Sequence, residues 1–289
     1  MKLLAVAALL PLALTSCAGS QPIGAPGVPW QLRADSWRTD PVWDDGLAEV
    51  CVYAATRTIY GVPRDYEATV YTNKQHMDLS TTTKASGAGG VEVFKQHAAE
   101  RVPTENYDYD FSTASFTVTR NLAPYKLTAA TQEDCGASFK QVWRDGTQLR
   151  WAESVYFPDA GMAEGRIARD DAQFVDALPL VLRDFPFEAP PASGTAMWLV
   201  PSQKDTHRVP FEPLACEVTY VGEEVCELPL GELKAHHLRV TGPEAEAVGD
   251  YWFAADGGAP LLHALVRYEG PGGQSFQLSS LGRRAYWER

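Results

Sequence analysis

The chain has 289 residues, of which 45% are hydrophobic and 21% are charged, as in an ordinary globular protein rather than a disordered or collagen-like one. Its 25 Lys and Arg residues against 37 Asp and Glu residues give a net charge of -12. Because no basic stretch interrupts this acidic balance, we do not expect nucleic acid as a partner. The length is ample for one large hydrophobic core. We therefore expect a single folded domain, residues 41–289.

The first 16 residues have the pattern of a lipoprotein signal peptide. Lys2 is followed by the uncharged run LLAVAALLPLAL at residues 3–14 and then by Leu14-Thr15-Ser16-Cys17. This run is shorter than the roughly 20 residues that a membrane-spanning helix needs. The Leu-Thr-Ser-Cys segment resembles the site of bacterial lipoprotein signal peptidase. That resemblance implies a diacylglycerol on the sulfur of Cys17, cleavage just before it, and anchoring by acyl chains.

The segment after the lipobox is expected to be a lipid anchor and flexible tether, residues 17–40. Its first part is rich in Gly and Pro and has no repeating apolar face. Ala18 stands where an aspartate would act as an inner-membrane signal in enteric bacteria. By resemblance to that sorting rule, we expect an outer-membrane location facing the periplasm.

Four cysteines remain after the lipobox, an even number in a chain directed to an oxidising compartment: Cys51, Cys135, Cys216 and Cys226. Cys216 and Cys226 are equidistant from Val221, and a hairpin centred there would place the two side chains opposite one another. We therefore predict a disulfide between Cys216 and Cys226 and, by elimination, one between Cys51 and Cys135. Buried free thiols are the alternative. A catalytic role for Cys135 would need an adjacent base that the sequence does not show.

Most of the remaining chain consists of alternating segments separated by turn residues, with little helical periodicity. Asp145-Gly146 is the strongest hairpin signal. About a dozen strands with short turns predict an all-β fold, a strongly curved antiparallel meander that forms a half-barrel or barrel. The predicted strands are residues 47–59, 66–77, 91–97, 107–120, 125–133, 138–144, 148–157, 196–200, 214–221, 225–230, 233–240, 250–254, 261–269 and 275–281.

One segment departs from this pattern and predicts a short helix. Within residues 170–185, Phe174, Leu178 and Leu182 recur at the spacing of a helix face, and Asp170-Asp171 suits a helix N-terminus. Pro179 would kink or split that helix. We interpret the segment as one short helix or two turns, within a helical or loop insertion near residues 158–194 of the single domain.

The histidines do not form a recognisable metal motif. His236 and His237, followed by Glu244, have the residue types of a zinc site, but neighbouring residues of a strand point to opposite faces. We therefore expect one inward and one solvated histidine and no metal site. The remaining histidines stand singly and fit no metal-binding pattern: His76, His97, His207 and His263.

Two carboxylates, Asp108 and Asp110, alternate with aromatic residues and share one face of a predicted strand. They could form a cation or sugar site, but a polar face opposite an aromatic core face is the simpler interpretation. The chain also has no nucleophile elbow, phosphate-binding glycine loop or dinucleotide fingerprint. We therefore expect neither a catalytic centre nor a cofactor.

Several segments resemble a family of uncharacterised bacterial lipoproteins: Val42-Trp43-Asp44-Asp45-Gly46-Leu47-Ala48-Glu49-Val50, Tyr53, Val70-Tyr71, Asp134-Cys135-Gly136, Phe139 and Tyr156-Phe157. Some members of that family carry the label of the Maf septum-formation inhibitor. The label implies a cytoplasmic nucleotide pyrophosphatase with an N-terminal Ser-Pro-Arg-Arg motif. Here a lipobox occupies that place, and the Arg-Arg pair is Arg283-Arg284, so the label does not fit.

The C-terminal part is similar to a second, periplasmic family of unknown function. The similar segments are Tyr251-Trp252-Phe253-Ala254-Ala255-Asp256-Gly257 and Leu265-Val266-Arg267-Tyr268. This resemblance implies a curved β-sheet and does not imply any activity.

These observations favour a non-catalytic envelope protein that binds an apolar ligand or a lipidated partner. The content of aromatic residues is 11%, and the concave face of a curved sheet is a recurrent pocket position. A structural or interaction module is the alternative, and it predicts a filled concavity. A hydrolase would need a polar cleft assembled only in three dimensions, around His236 or Asp108.

Overall fold

The computed structural model describes residues 27–34, 36–87 and 89–288. The expected signal peptide, residues 1–16, lies outside the described residues, as do Cys17 and residues 18–26. In the part of the chain that is described, no helix combines the length and the hydrophobicity needed to cross a membrane.

The described chain forms one sheet of 16 strands. The first eight are β1 (Ala48–Ile59), β2 (Val62–Asp78), β3 (Thr83–Lys84), β4 (Val91–Val102), β5 (Tyr109–Val118), β6 (Pro124–Glu133), β7 (Gly136–Asp145) and β8 (Gln148–Val155). The others are β9 (Gly161–Arg166), β10 (Gln173–Phe174), β11 (Thr195–Val200), β12 (Leu214–Leu228), β13 (Gly231–Thr241), β14 (Ala247–Ala254), β15 (Leu265–Glu269) and β16 (Ser275–Arg284).

Neighbouring strands of the sheet are mostly consecutive in the chain. The order runs β10-β11-β12-β13-β14-β15-β16-β1-β2-β4-β5-β6-β7-β8-β9, and β3 pairs with β2. All pairs are antiparallel except β10 with β11. The two ends of this path, β9 and β10, are joined by residues 167–172 only, as expected for a strongly curved sheet. The predicted all-β fold is confirmed, and so is the Asp145-Gly146 turn between β7 and β8.

The concave face of the sheet is filled by segments that come from outside it. The helix α1 (Leu178–Val181) and the 3₁₀ turns on either side, Val175–Ala177 and Leu182–Asp184, pack against the main hydrophobic core. The predicted helix exists but spans one turn, with Pro179 at its start, where a missing N–H costs little. This segment together with its flanking loops, residues 167–194, is called the insertion below.

The N-terminal segment also belongs to the domain. Residues 17–40 are predicted to be a tether, but Val28, Trp30 and Trp37 are buried in the main core. The prediction is therefore wrong for the described part of that segment. The Gly- and Pro-rich composition suggests a solvated segment, but burial of its large aromatic side chains stabilises the packing of the segment against the core.

Two buried ion pairs fix the insertion inside the sheet. Arg183 donates two hydrogen bonds to the Glu49 carboxylate of β1, at 2.6 and 3.0 Å, and both side chains are at most 2% exposed. Asp184 accepts a hydrogen bond of 2.9 Å from Nε of Arg38 in the N-terminal segment. Because an unpaired charge at these depths would be costly, these pairs specify where the insertion sits.

A second segment crosses the inner face of the sheet between β11 and β12. We call this segment, residues 201–213, the strap. Lys140 of β7 donates from Nζ to the carbonyl oxygens of Asp205, at 3.0 Å, and of His207. Phe211 of the strap stacks on Trp151 of β8, with ring centroids 4.4 Å apart. The strap is thus held by both polar and aromatic contacts.

The predicted disulfides are not formed. The hairpin expected at Val221 does not exist, because β12 runs through that position and only shifts its register between Tyr220 and Gly222. Cys216 and Cys226 therefore lie about 33 Å apart along one strand, far beyond the reach of a disulfide. Cys51 and Cys135 are free as well, the first buried in β1 and the second exposed after β6. Free thiols, the alternative interpretation, describe all four cysteines.

Arg183→Met should lower the free energy of unfolding by about 3–5 kcal/mol, because Glu49 would be left buried without a counter-charge. Adding Glu49→Leu should recover part of that loss. Urea denaturation measures both, and Arg101→Met, which removes an exposed ion pair with Asp110, is the control expected to stay near the wild type. An Arg183→Met protein as stable as this control would contradict the argument.

Cys135 should be the described cysteine that reacts rapidly with iodoacetamide in the native protein, because its thiol is exposed while the other three are buried. Peptide mass spectrometry after brief labelling measures this, and Cys135→Ser should remove the rapid phase. Recovery of disulfide-linked peptides from non-reduced protein would show that the free-thiol assignment is wrong.

Candidate functional site

A cavity of about 320 Å³ remains on the concave face, between the insertion and the inner surface of the sheet. Its wall is mainly apolar and is built by strands from both halves of the sheet, with contributions from the insertion and the strap. The apolar side chains that line it include Tyr53, Val70, Ala98, Leu199, Leu214, Val248, Tyr251, Leu265, Tyr268 and Phe276. The polar ones include Gln96, Thr113, Asp176, Arg183, Ser202, Lys204, Glu246 and Gln274.

The cavity lies towards one end of the sheet, which we call the mouth end. The strap and the turns at residues 242–246 and 270–274 contribute to the wall there. The antiparallel pairing places the N-terminal segment at the opposite end, because Ala48, the first residue of β1, pairs with Arg284 and not with the turn before β16. The two ends are separated by the length of β1, about 36 Å.

A cluster of charged side chains sits beside the cavity at its mouth end. Glu100 of β4 is fully buried and forms an ion pair with Lys204 of the strap. Oε2 of Glu100 also accepts a hydrogen bond of 2.6 Å from the Tyr66 hydroxyl and lies 3.9 Å from Nη1 of Arg57. Two cations thus share the carboxylate of Glu100, and Lys204 also lies near the buried carboxyl group of Asp176.

Two hydrogen-bond donors of this region have no acceptor. Nη1 of Arg57 and Nε2 of Gln274 are buried, and neither makes a hydrogen bond to a described residue. The remainder of the Arg57 guanidinium is fixed, because Nη2 donates to the carbonyl oxygen of Lys204 at 2.9 Å and the group lies 3.9 Å above the Phe111 ring. Buried donors without partners are rare in native proteins and cost free energy, so their presence beside a cavity indicates a missing acceptor.

The insertion contributes a buried carboxyl group to the same cavity. Asp176 accepts a hydrogen bond of 2.5 Å from the Ser202 hydroxyl and one of 2.8 Å from the backbone N–H of Gln203. Burial raises the pKa of Asp176 above its ordinary value of 3.8, although these hydrogen bonds and the nearby Lys204 oppose the shift. Asp176 therefore ties the beginning of the strap to the insertion.

The adjacent histidines point to opposite faces of β13, as predicted. His236 is directed inward, where it stacks on Phe187 at 4.3 Å and its Nδ1 lies 3.1 Å from the Tyr220 hydroxyl. Burial lowers the pKa of His236, which favours the neutral form. His237 stacks on Trp252 at 4.2 Å and its Nε2 lies 2.6 Å from Asp250. It is buried beneath these partners rather than solvated, which differs from the expectation.

The other candidate residues remain apart from the cavity. Glu244 is exposed in the turn after β13, and no group of three or more His, Cys, Asp or Glu side chains that could hold a metal ion occurs among the described residues. Asp110 forms two hydrogen bonds with Arg101 of the neighbouring strand, at 2.7 and 2.9 Å, and Asp108 lies 3.9 Å from the same guanidinium. This is the polar outer face that the simpler interpretation expects.

The remaining histidines are dispersed over separate parts of the fold. His97 Nε2 lies 3.0 Å from the Ser112 hydroxyl, whereas His263 Nδ1 lies 2.8 Å from the carbonyl oxygen of Ala254. His207 belongs to the strap and stacks on Phe157 at 4.6 Å. His76 lines a second, separate pocket at the N-terminal end of the sheet.

Sequence analysis missed the charged residues of the cavity, Arg57, Glu100 and Lys204. A signal for Arg57 exists, because the alternation of β1 places it on the same face as Tyr53 and Ala55, which are buried. A charged residue on an inward face indicates either an ion pair or a ligand. The sequence gives no comparable signal for Lys204, because the strap lacks the alternation of a strand.

Comparison with known proteins bears on the fold. No protein-family model matches the chain, and no curated protein matches it in sequence. A solved structure similar to it is the β-barrel-like protein of a domain of unknown function, DUF1849, from Brucella abortus. The two are 8% identical with a TM-score of 0.50, over 82% of this chain and 98% of that one. At this identity the likeness shows a shared β-barrel-like fold of curved sheet.

The stability of Asp176→Asn relative to the wild type should increase as the pH rises above about 4. Because the pKa of Asp176 is raised in the folded state, its stabilising contribution is complete below the ordinary value of 3.8 and is lost as the pH rises through the folded value. Urea denaturation of both proteins from pH 4 to 8 measures the difference. A difference that stays constant over this range would contradict the shift.

Proposed function

We propose that the protein is an exported, lipid-anchored and non-catalytic binding protein of the cell envelope, located at the outer membrane and facing the periplasm. Its cavity holds one elongated apolar molecule that carries an anionic head group, such as the carboxylate of an acyl chain. The observation that supports this most strongly is an apolar cavity with unpartnered buried donors at one end.

The wall of the cavity favours an apolar tail. Aliphatic and aromatic side chains from β1, β2, β14 and β15 line it, and they would exclude water from a bound chain. A volume of about 320 Å³ is at the lower end of the range for ligand pockets, roughly 300–1,000 Å³. It suits a single slender chain rather than a bulky multi-chain lipid.

The mouth end favours an anionic head group. An anionic oxygen atom would supply the kind of acceptor that Nη1 of Arg57 and Nε2 of Gln274 lack. Arg57 is itself a cation, so a negative charge near Nη1 would also be attracted to its guanidinium group. Charge-assisted hydrogen bonds of this kind are stronger than those between neutral groups.

The buried carboxyl group of the cavity supports a binding role rather than a catalytic one. Both oxygens of Asp176 accept hydrogen bonds from the first residues of the strap, Ser202 and Gln203. In the proposed function Asp176 therefore holds the wall of the cavity in place. It does not transfer a proton to or from the ligand.

A structural or interaction module remains the second candidate, because the insertion and the strap fill most of the concave face. That candidate treats the cavity as a packing defect and assigns binding to the outside of the domain. The two candidates differ in whether small apolar molecules enter the cavity with a preference for one charge.

Titration calorimetry with dodecanoate, dodecan-1-ol and dodecylammonium tests the proposed head-group preference. We expect dodecanoate to bind about tenfold more tightly than dodecan-1-ol, and dodecylammonium to bind least, because the donors require an acceptor. Arg57→Met should remove the preference and leave the binding of dodecan-1-ol intact, whereas the control Arg101→Met should leave all three affinities unchanged. Absence of binding by all three molecules would favour the interaction module.

Ala98→Phe should abolish binding of both dodecanoate and dodecan-1-ol, because the new ring would occupy the cavity that Ala98 lines. Ala114→Phe is the matched control, since Thr113 lines the cavity and its neighbour Ala114 therefore faces outward on β5. Melting temperatures of both variants verify folding. Undiminished binding to folded Ala98→Phe would place the ligand elsewhere.

A further inference from the structure

A second pocket lies at the opposite end of the sheet from the cavity mouth. It has a volume of about 530 Å³ and lies between the end of β2, the loop that follows β3 and the C-terminal segment. We call it the basic pocket, because its charged lining consists of Lys74, Lys84 and Lys95, with His76 beside them. Trp43 and Trp287 contribute aromatic surface to its wall.

The charge of this pocket is opposite to that of the whole chain. The net charge of the protein is -12, yet no Asp or Glu side chain lines the basic pocket among the described residues. The carboxylate of Asp44, which lies at the margin, forms an ion pair of 3.1 Å with Lys74. The other two lysines have no such counter-charge among the residues that the structure describes.

Lys84 and Lys95 form no hydrogen bond or ion pair with a described residue, although Lys95 is half-buried on the outer face of β4. Burial lowers the pKa of Lys95, and no nearby carboxylate opposes that effect. A half-buried ammonium group without a partner loses hydration and gains nothing in return. A bound anion would supply the missing interaction.

The donors of the pocket match an anion with several oxygen atoms. The lining also includes Asn73, Gln75 and Ser86. The two amides each make one hydrogen bond already, Asn73 to the carbonyl oxygen of Lys74 and Gln75 to Sδ of Met77, so each keeps one further N–H. A phosphate ester presents two or three acceptor oxygens and up to two negative charges, whereas a carboxylate presents two oxygens and one charge. Lys84 and Lys95, which have no counter-charge among the described residues, therefore suit a phosphate with up to two charges better than a carboxylate.

We propose that the basic pocket is a binding site for a phosphate ester, with Lys84 and Lys95 as its principal ligands. This site is separate from the cavity and does not depend on what the cavity binds. The phosphate could belong to a lipid head group or to a soluble molecule. The N-terminal segment enters at this end of the sheet, where Gly27 donates its backbone N–H to the carbonyl oxygen of Asn121 at 3.0 Å.

Competitive lysine acetylation tests this proposal on the full chain in dodecyl maltoside micelles, which contain no phosphate. The protein is treated with limiting N-hydroxysuccinimide acetate, alone, with glycerol 3-phosphate, or with phosphatidylglycerol added to the micelles. Peptide mass spectrometry quantifies each lysine, and sodium chloride keeps the ionic strength equal. Lys234, which pairs with Glu223 on β12, is the internal control outside the pocket.

At a ligand concentration of about ten times Kd, acetylation of Lys84 and Lys95 should fall about tenfold, with Lys234 unchanged. Protection by glycerol 3-phosphate supports the site and a soluble source, whereas protection by phosphatidylglycerol alone supports a lipid head group. Lys95→Met should abolish the protection of Lys84, and Lys234→Met should not. No protection in either condition, or equal protection of Lys234, would overturn the proposal.

Discussion

The ion pair between Arg183 and Glu49 is the interaction on which the interior of this protein depends. It joins the insertion to β1 through two hydrogen bonds in a nearly solvent-free environment, and the Arg183 side chain also lines the cavity. Transferring two charges from water into the protein interior costs free energy that offsets much of their attraction. The ion pair therefore contributes more to the position of the insertion than to the net stability of the protein. The insertion occupies the concave face of the sheet. Its position therefore determines which part of that face is covered by packed side chains and which part lines the cavity.

The strap completes the cavity, and its contacts bring the charged groups at the mouth together. Lys204 forms an ion pair with Glu100, and the carbonyl oxygen of Lys204 accepts a hydrogen bond from Arg57. Because Arg57 also lies beside Glu100, both cations approach the same carboxylate. Asp176 holds the preceding residues of the strap in register with the insertion. An apolar wall, a fixed strap and a surplus donor are the features of a site that orients a ligand by its polar end.

The predictions from sequence are correct where a pattern of neighbouring residues determines the structure. They are wrong where contacts between segments far apart in the chain determine it. Alternation and turn residues located β1 and the β7–β8 hairpin, and they placed His236 and His237 on opposite faces. The supposed turn at Gly222 is a register shift within β12, which local composition does not distinguish from a hairpin. β9 is a mostly exposed strand without hydrophobic alternation, and the charges around Arg57 converge only after the strap folds inward.

The most direct test of the central claim is native mass spectrometry of the protein released from the envelope of its own host without exchange of bound molecules. We expect one additional mass per chain that corresponds to an acidic molecule with a single apolar chain. That mass should be lost on mild activation and be absent from a variant with a filled cavity. A spectrum of the unliganded protein alone, or a bound mass that persists when the cavity is filled, would contradict the account.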